Sequence, residues 1–130
     1  LGQSLAGFAD DKKLPDSLRN GKRLIANAIC KEPFFIAGDN RICTAIAETL
    51  GNKITPKMGA EAVYFCSLND LGLGLVLKCR DGSRRAVEYA LGQVLKLLNY
   101  KISKKLAKHF NSEIYNLSGD IVGSKSIKLL

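Results

Sequence analysis

Apolar residues follow a helical spacing through the first fifty positions, change to a strand-like pattern in the middle of the chain, and return to helical spacing beyond residue 84. Residues 3–9 read as the end of a helix with Leu5, Phe8 and Ala9 on one side, followed by the polar turn "DDKKLPD". Asp16 is placed to cap a helix over 17–31, in which Leu18, Leu24, Ile25, Ala28 and Ile29 form an apolar stripe. Pro33 stops this helix, because the residue before a proline is pushed out of the helical region. "FFIAGDN" reads as a loop with a turn at Gly38-Asp39. Asp39 or Asn40 can cap the next helix, over about 41–50, and Gly51 ends it from the C′ position.

Positions 57–66 are β-branched, aromatic or small and apolar on both faces, which predicts one well-buried strand. On a period of two, Lys57, Gly59 and Glu61 share one face of that strand, and Met58, Ala60, Ala62 and Tyr64 share the other, toward a long helix. "SLNDLGLG" turns the chain into a second strand, "LGLGLVLKC", with Leu73, Leu75, Leu77 and Cys79 on one face. Asp81-Gly82 closes it, and Ser83 can cap a helix over 84–98 with a broad apolar face of Ala86, Val87, Ala90, Leu91, Val94, Leu97 and Leu98. A shorter helix from Ser103 to about Phe110 follows, then a hairpin around Ser118-Gly119-Asp120. The expected class is α+β: helices, an antiparallel strand pair, a long helix and a C-terminal hairpin, with at most four strands. An exposed sheet edge is a liability, and its missing pairing is expected from sequence ahead of Leu1.

Composition narrows the classes of partner. The 130 residues suit a single domain 1–130, or one half of a longer one, and a start at Leu1 rather than Met fits the second reading. No apolar run approaches the roughly 18 residues that a bilayer span needs, so no membrane partner is expected. Twenty Lys and Arg against twelve Asp and Glu give a net charge of +8, which raises nucleic acid as a partner. The densest cationic patch, Lys101, Lys104, Lys105, Lys108 and His109, has no interleaved stacking aromatics, so it reads as a solvated helix face and His109 as a surface residue. No nucleic-acid partner is expected. Cys30, Cys43, Cys66 and Cys79 show no CxxC spacing and sit among apolar residues, as free buried thiols do in cytoplasmic proteins. No metal site is expected from them.

The most specific stretch is "PKMGAEAVYFCSLNDLGLGLVLKCRDGSRRAVEYAL". Its K-x-G is similar to the K-T-G on a sheet-edge strand of serine β-lactamases and penicillin-binding proteins, a tripeptide that carries little by itself. The longer context closely resembles the "K-x-GAEGV…GLGIALK…DG…RAAE" of the rhizobial-type L-asparaginases, a zinc-associated serine–lysine family with a β-lactamase-like fold. "PFFIAGDNRICTAIAETLGNKI", "LAGFAD" and "NLSGDIVGSKSI" extend the likeness over nearly the whole chain. Ala62, where the family usually has Gly, and Met58, between Lys57 and Gly59, are departures that remove no functional group.

That resemblance implies an amidohydrolase acting on L-asparagine through an acyl-enzyme. In the family the nucleophilic serine, its lysine and the zinc ligands lie in the N-terminal half. Here no S-x-x-K precedes the Lys57 strand, and the serines and lysines of the tail, Ser124 to Lys128, are in the wrong place. The resemblance therefore implies the C-terminal half of such an enzyme, inactive by itself, with zinc belonging to the full-length parent and an N-terminal half or a homo-oligomer as partner. Lys57 is the implied catalytic residue, one of a second serine–lysine pair. A partly buried lysine at a strand end can act as a base; a solvated lysine beside a packing glycine is the plainer reading. Gly59, lacking a Cβ, lets a ligand approach the backbone. Glu61 either holds the lysine or joins a buried ion pair. Arg41, Cys43 and Thr44, at the start of a helix whose N–H groups favour an anion, are candidates for the substrate carboxylate, although packing suffices for Cys43. Cys66 and Cys79 read as core, Lys78 with Asp81-Gly82 as a strand end and turn, and at least one of Arg84 and Arg85 as anchored by a carboxylate elsewhere in the chain. The competing reading is a non-catalytic remnant or binding module of α+β fold.

Overall fold

The computed structural model describes residues 1–10, 12 and 14–128. Its elements are α1 (Gly2–Ala9), α2 (Asp16–Lys31), α3 (Phe34–Ala37), α4 (Ile42–Leu50), β1 (Ile54–Met58), β2 (Val63–Leu68), β3 (Leu73–Lys78), α5 (Arg84–Leu97), α6 (Lys104–Ala107), β4 (Glu113–Tyr115) and β5 (Ile121–Ser124). The α+β class stands. The strands form a three-stranded antiparallel sheet in the order β1-β2-β3, and β4 and β5 pair as a separate hairpin. Five strands replace the four expected, because the segment 57–66 is not one strand.

The chain reverses inside that segment. β1 pairs antiparallel with β2, Lys57 opposite Phe65 and Met58 opposite Tyr64, and residues 59–62 make the connection. Gly59 N–H donates to Val63 O at 2.8 Å, closing the reversal. Glu61 and Ala62 take left-handed conformations, φ 57° and 52°, a region costly for residues with a Cβ. The reversal abolishes the expected alternation: Lys57 ends one strand, Gly59 and Glu61 lie in the turn, and Ala60 is exposed rather than packed on the long helix.

Helix ends and short elements also depart from expectation. Residues 34–37, expected as loop, make one helical turn after Pro33, which serves as its N-cap. Helix α4 begins after Arg41, and neither Asp39 nor Asn40 caps it with a side chain. Asn40 is instead left-handed, φ 53°. The polar turn "DDKKLPD" falls partly on residues 11 and 13, which lie outside the described residues.

The sheet carries α1 on one face and the main core on the other. On β2, Tyr64, Cys66 and Leu68 point into the core and meet Ile42, Ile46, Val87, Leu91, Leu95, Leu106 and Phe110 from α4, α5, α6 and the turn after it. Burying each large aliphatic side chain there contributes about 1.5–3 kcal/mol. On the opposite face Ser67 Oγ donates to Leu5 O of α1 at 3.4 Å. Gly74 allows this approach: a Cβ there would lie 2.4 Å from Gly2 O. Of the expected face of β3, Leu75, Leu77 and Cys79 pack against the core, while Leu73 is exposed. On α5, Val87 and Leu91 are buried as expected, but Ala86 and Leu97 are exposed.

Helix α2 has its apolar stripe turned outward. Leu18, Leu24 and Ile25 are 58%, 72% and 53% exposed, and the one buried residue of the helix is Lys22. Its Nζ reaches Ala9 O at 3.4 Å and lies over the Phe8 ring. The stripe exists; it does not meet this chain's core. Among the described residues no helix is long and apolar enough to cross a membrane.

Candidate active site

Lys57 is the last residue but one of β1, the free edge of the sheet, so its side chain projects where no strand covers it. It is exposed, and its Nζ donates to the Met58 carbonyl at 3.0 Å. Among the described residues it has no carboxylate partner and no serine hydroxyl bonded to it. It borders an apolar cavity of about 250 Å³ whose walls include Leu5, Phe8, Ile25 and Phe65.

Gly59 is exposed, and a Cβ there would make only ordinary contacts, 3.7 Å from Val63 O. Packing therefore does not require glycine at this position. Glu61 does not accompany Lys57. A Cβ built on Gly82 would lie 4.0 Å from Glu61 Oε2, so the carboxylate reaches toward the β3–α5 turn. Its carbonyl accepts from Lys78 Nζ, which also donates to Cys79 O at 2.8 Å. Neither role left open for Glu61 is met: the turn carries it to the other side of the reversal from Lys57, and it is exposed, with no ion pair among the described residues.

Arg41 and Cys43 reach the same neighbourhood from α4, which packs on β1. Arg41 is the exposed N-cap residue, and Cys43 is 1% exposed. Burial pushes the Cys43 thiol up to about 11, against the Met58 N–H and the positive charges of Lys57 and Arg41, which pull it down. Cys43 thus lies between the two cations, but these border different cavities. Arg41 opens on one of about 170 Å³ with Thr44, Glu48, Lys105 and His109. What the arrangement can do is hold anions at either of two cationic positions. It contains no assembled nucleophile.

Three residues close to this neighbourhood gave no functional signal in the sequence. Tyr64 is fully buried, its hydroxyl has no hydrogen-bond partner among the described residues, and burial together with Cys66, Cys43 and Glu88 raises its phenol well above the usual range. Glu88 accepts from Arg84 Nε at 3.3 Å and lies 3.9 Å from His109 Nδ1. So Arg84 is anchored within its own helix, at the i, i+4 spacing that would have revealed it. His109, expected on the surface, has a side chain only 16% exposed. The neighbouring Lys101, Lys104, Lys105 and Lys108 are exposed, as a solvated face requires.

The thiols are all free, but only Cys43 and Cys66 are buried. Cys30 Sγ donates to Asn52 Oδ1 at 2.9 Å and Cys79 Sγ to Asp81 Oδ1 at 2.8 Å. Cys79 is thus partly committed to a turn rather than wholly to the core. Among the described residues no three His, Cys, Asp or Glu side chains gather as metal ligands.

A family model described as L-asparaginase II matches residues 1–127 of the chain. No curated protein matches it.

Proposed function

The chain belongs to the L-asparaginase II family, and from that premise we propose that it forms part of an amidohydrolase converting L-asparagine to L-aspartate and ammonia, with Lys57 in the active site. One observation carries this reading beyond family membership. Lys57 is an exposed lysine at the end of an edge strand, and among the described residues no strand covers that edge and no carboxylate occupies the amine. Its neighbourhood is completed by Arg41 at the start of α4 and by Gly59, which leaves the backbone approachable.

In a serine–lysine mechanism a hydroxyl attacks the carboxamide carbon, ammonia leaves, and water releases aspartate from the acyl-enzyme. Lys57 moves a proton between the attacking hydroxyl and the leaving amine. Cys43 serves packing, since a thiol held protonated by burial is a poor nucleophile. The serine comes from an N-terminal half or a partner, because no serine hydroxyl meets Lys57 among the described residues. The parent's zinc does not fit this chain: its thiols lie on separate elements, two of them bonded to Asn52 and Asp81.

Ammonia release from L-asparagine tests the reading. It is expected in the intact parent, where Lys57→Ala lowers kcat by at least about a hundredfold, the scale of a lost proton-transfer group. Wild-type turnover by that variant would return Lys57 to ordinary surface chemistry.

A further inference from the structure

A cleft of about 490 Å³ separates the start of α5 from the C-terminal hairpin. That size falls within the range of about 300–1,000 Å³ typical of small-molecule sites. It shares no lining residue with the cavities at Lys57 and Arg41. Arg85 and Tyr89 form the helix wall, and Glu113, Ile114, Lys125 and Ile127 line the hairpin side.

The charges of the lining balance, two cations against two carboxylates, but they are not equally free. Asp81 is committed to its turn, with Oδ1 accepting from Ser83 N–H at 2.7 Å and from Cys79 Sγ at 2.8 Å. Lys125 rests its ammonium over the Tyr89 ring, 5.6 Å from the centroid. Arg85 and Glu113 remain. Among the described residues Arg85 donates to Ser83 Oγ, at 3.3 Å, and, beside the Cys79 and Ser83 hydrogen bonds, its charge helps hold the Asp81 carboxyl low without a salt bridge to it. It stands in the first turn of α5, whose backbone N–H groups have no side-chain cap. The Glu113 carboxylate accepts from the Tyr115 hydroxyl, a neutral donor. Among the described residues neither forms a salt bridge, with the other or elsewhere.

One charge of each sign without a salt bridge among the described residues, in a cleft with apolar walls, suits a ligand that carries both charges itself. A plain carboxylate would leave Glu113 unsatisfied, and a plain amine would leave Arg85 so. We propose that this cleft binds a free α-amino acid with an apolar side chain. Its carboxylate meets Arg85 and the uncapped first turn of α5, where the helix end favours an anion. Its ammonium meets Glu113, and its side chain lies among Tyr89, Ile114 and Ile127. Being separate from Lys57, the site takes an effector rather than the reacting amide.

Calorimetric titration of the full 130-residue chain with three probes tests this: L-phenylalanine, 3-phenylpropionate, which lacks the ammonium, and phenethylamine, which lacks the carboxylate. L-phenylalanine should bind at least about tenfold tighter than either analogue, the scale of one lost charge-assisted contact. Arg85→Met should weaken L-phenylalanine and phenylpropionate but not phenethylamine; Glu113→Gln should weaken L-phenylalanine and phenethylamine but not phenylpropionate. Both residues are exposed, so the variants keep the fold, which circular dichroism checks. Lys57→Ala should leave binding unchanged. Absence of binding at millimolar L-phenylalanine, wild-type L-phenylalanine binding by either cleft variant, or loss of binding in Lys57→Ala would each overturn the proposal.

Discussion

Lys78 donates from its Nζ to the carbonyl oxygen of Glu61, tying β3 to the turn that follows Lys57. The tie matters because Glu61 and Ala62 are consecutive non-glycine residues with positive φ. Such conformations cost on the order of 1–2 kcal/mol each and persist only where neighbours enforce them. The Cys79 N–H to Ala62 O bond, 3.2 Å, adds a second restraint from the same strand end.

Lys78→Met should therefore lower stability by about 0.5–1.5 kcal/mol, the net worth of a hydrogen bond, and speed amide exchange at Gly59 and Val63. Glu61→Gly should act oppositely and raise the denaturation midpoint, because glycine adopts that φ freely. Urea denaturation of both variants checks the pair. A neutral Lys78→Met with unchanged exchange would mean that the turn is held by its own backbone.

Two helical glycines should respond to alanine with opposite signs. A Cβ on Gly92 would fall 2.4 Å from Phe110 Cγ, whereas one on Gly21 would meet nothing within 4 Å. Gly21→Ala should stabilise by up to about 1 kcal/mol through helix propensity. Gly92→Ala should destabilise by about 1–3 kcal/mol, because Phe110 must leave its place in the core. Equal shifts in denaturation midpoint would contradict the packing of α5 on the segment after α6.

The thiols should separate by reactivity and by pH. Cys43 is raised from 9.0 to about 11 and Cys66 from 9.0 to about 12, both chiefly by burial. Half-exposed Cys30 and Cys79 should react first with a disulfide reagent, and all four only after unfolding. For both buried groups the unfolded chain gives up its proton first as pH rises, so the unfolded state binds fewer protons above pH 9. Their stabilising contribution is complete below pH 9 and is lost progressively toward pH 11–12. The melting temperature should fall across that window, and more steeply than in Cys66→Ala.

The helical half of the fold was legible because its periodicity is long and its punctuation strong: Pro33, Gly51 and Ser103 sit where helices stop or start. The Ser103 side chain indeed accepts from Leu106 N–H. The hairpin at Ser118-Gly119-Asp120 was legible for the same reason. The reversal at 59–62 was not. Ala60 and Ala62 continue the apolar composition through the turn, and its two left-handed positions hold Glu and Ala instead of Gly or Asn. That single misreading placed Glu61 beside Lys57. Lys57 and Gly59 came from a motif and Arg41 and Cys43 from a helix start, and neither signal says anything of the two separate cavities. Periodicity also fixed which residues of α2 share a face without saying which face meets the protein.

That exposed face gives the last prediction. Leu18, Leu24 and Ile25 on α2 and Phe35 on α3 are 58%, 72%, 53% and 81% exposed. These four lie on consecutive elements, and contiguous exposed apolar patches are uncommon on monomeric surfaces and mark association sites. The uncovered edge of β1 adds unpaired backbone groups. The 130-residue chain should therefore self-associate at micromolar concentration, with sedimentation coefficients that rise with loading. Net charge of +8 opposes the approach of copies, so added salt should strengthen the association by screening. Leu24→Lys with Phe35→Ser should shift the distribution toward monomer without lowering the melting temperature, since neither side chain is part of the buried core. Monomer at all concentrations in the unmodified chain, or association untouched by the double variant, would show that this face is not the one through which copies meet.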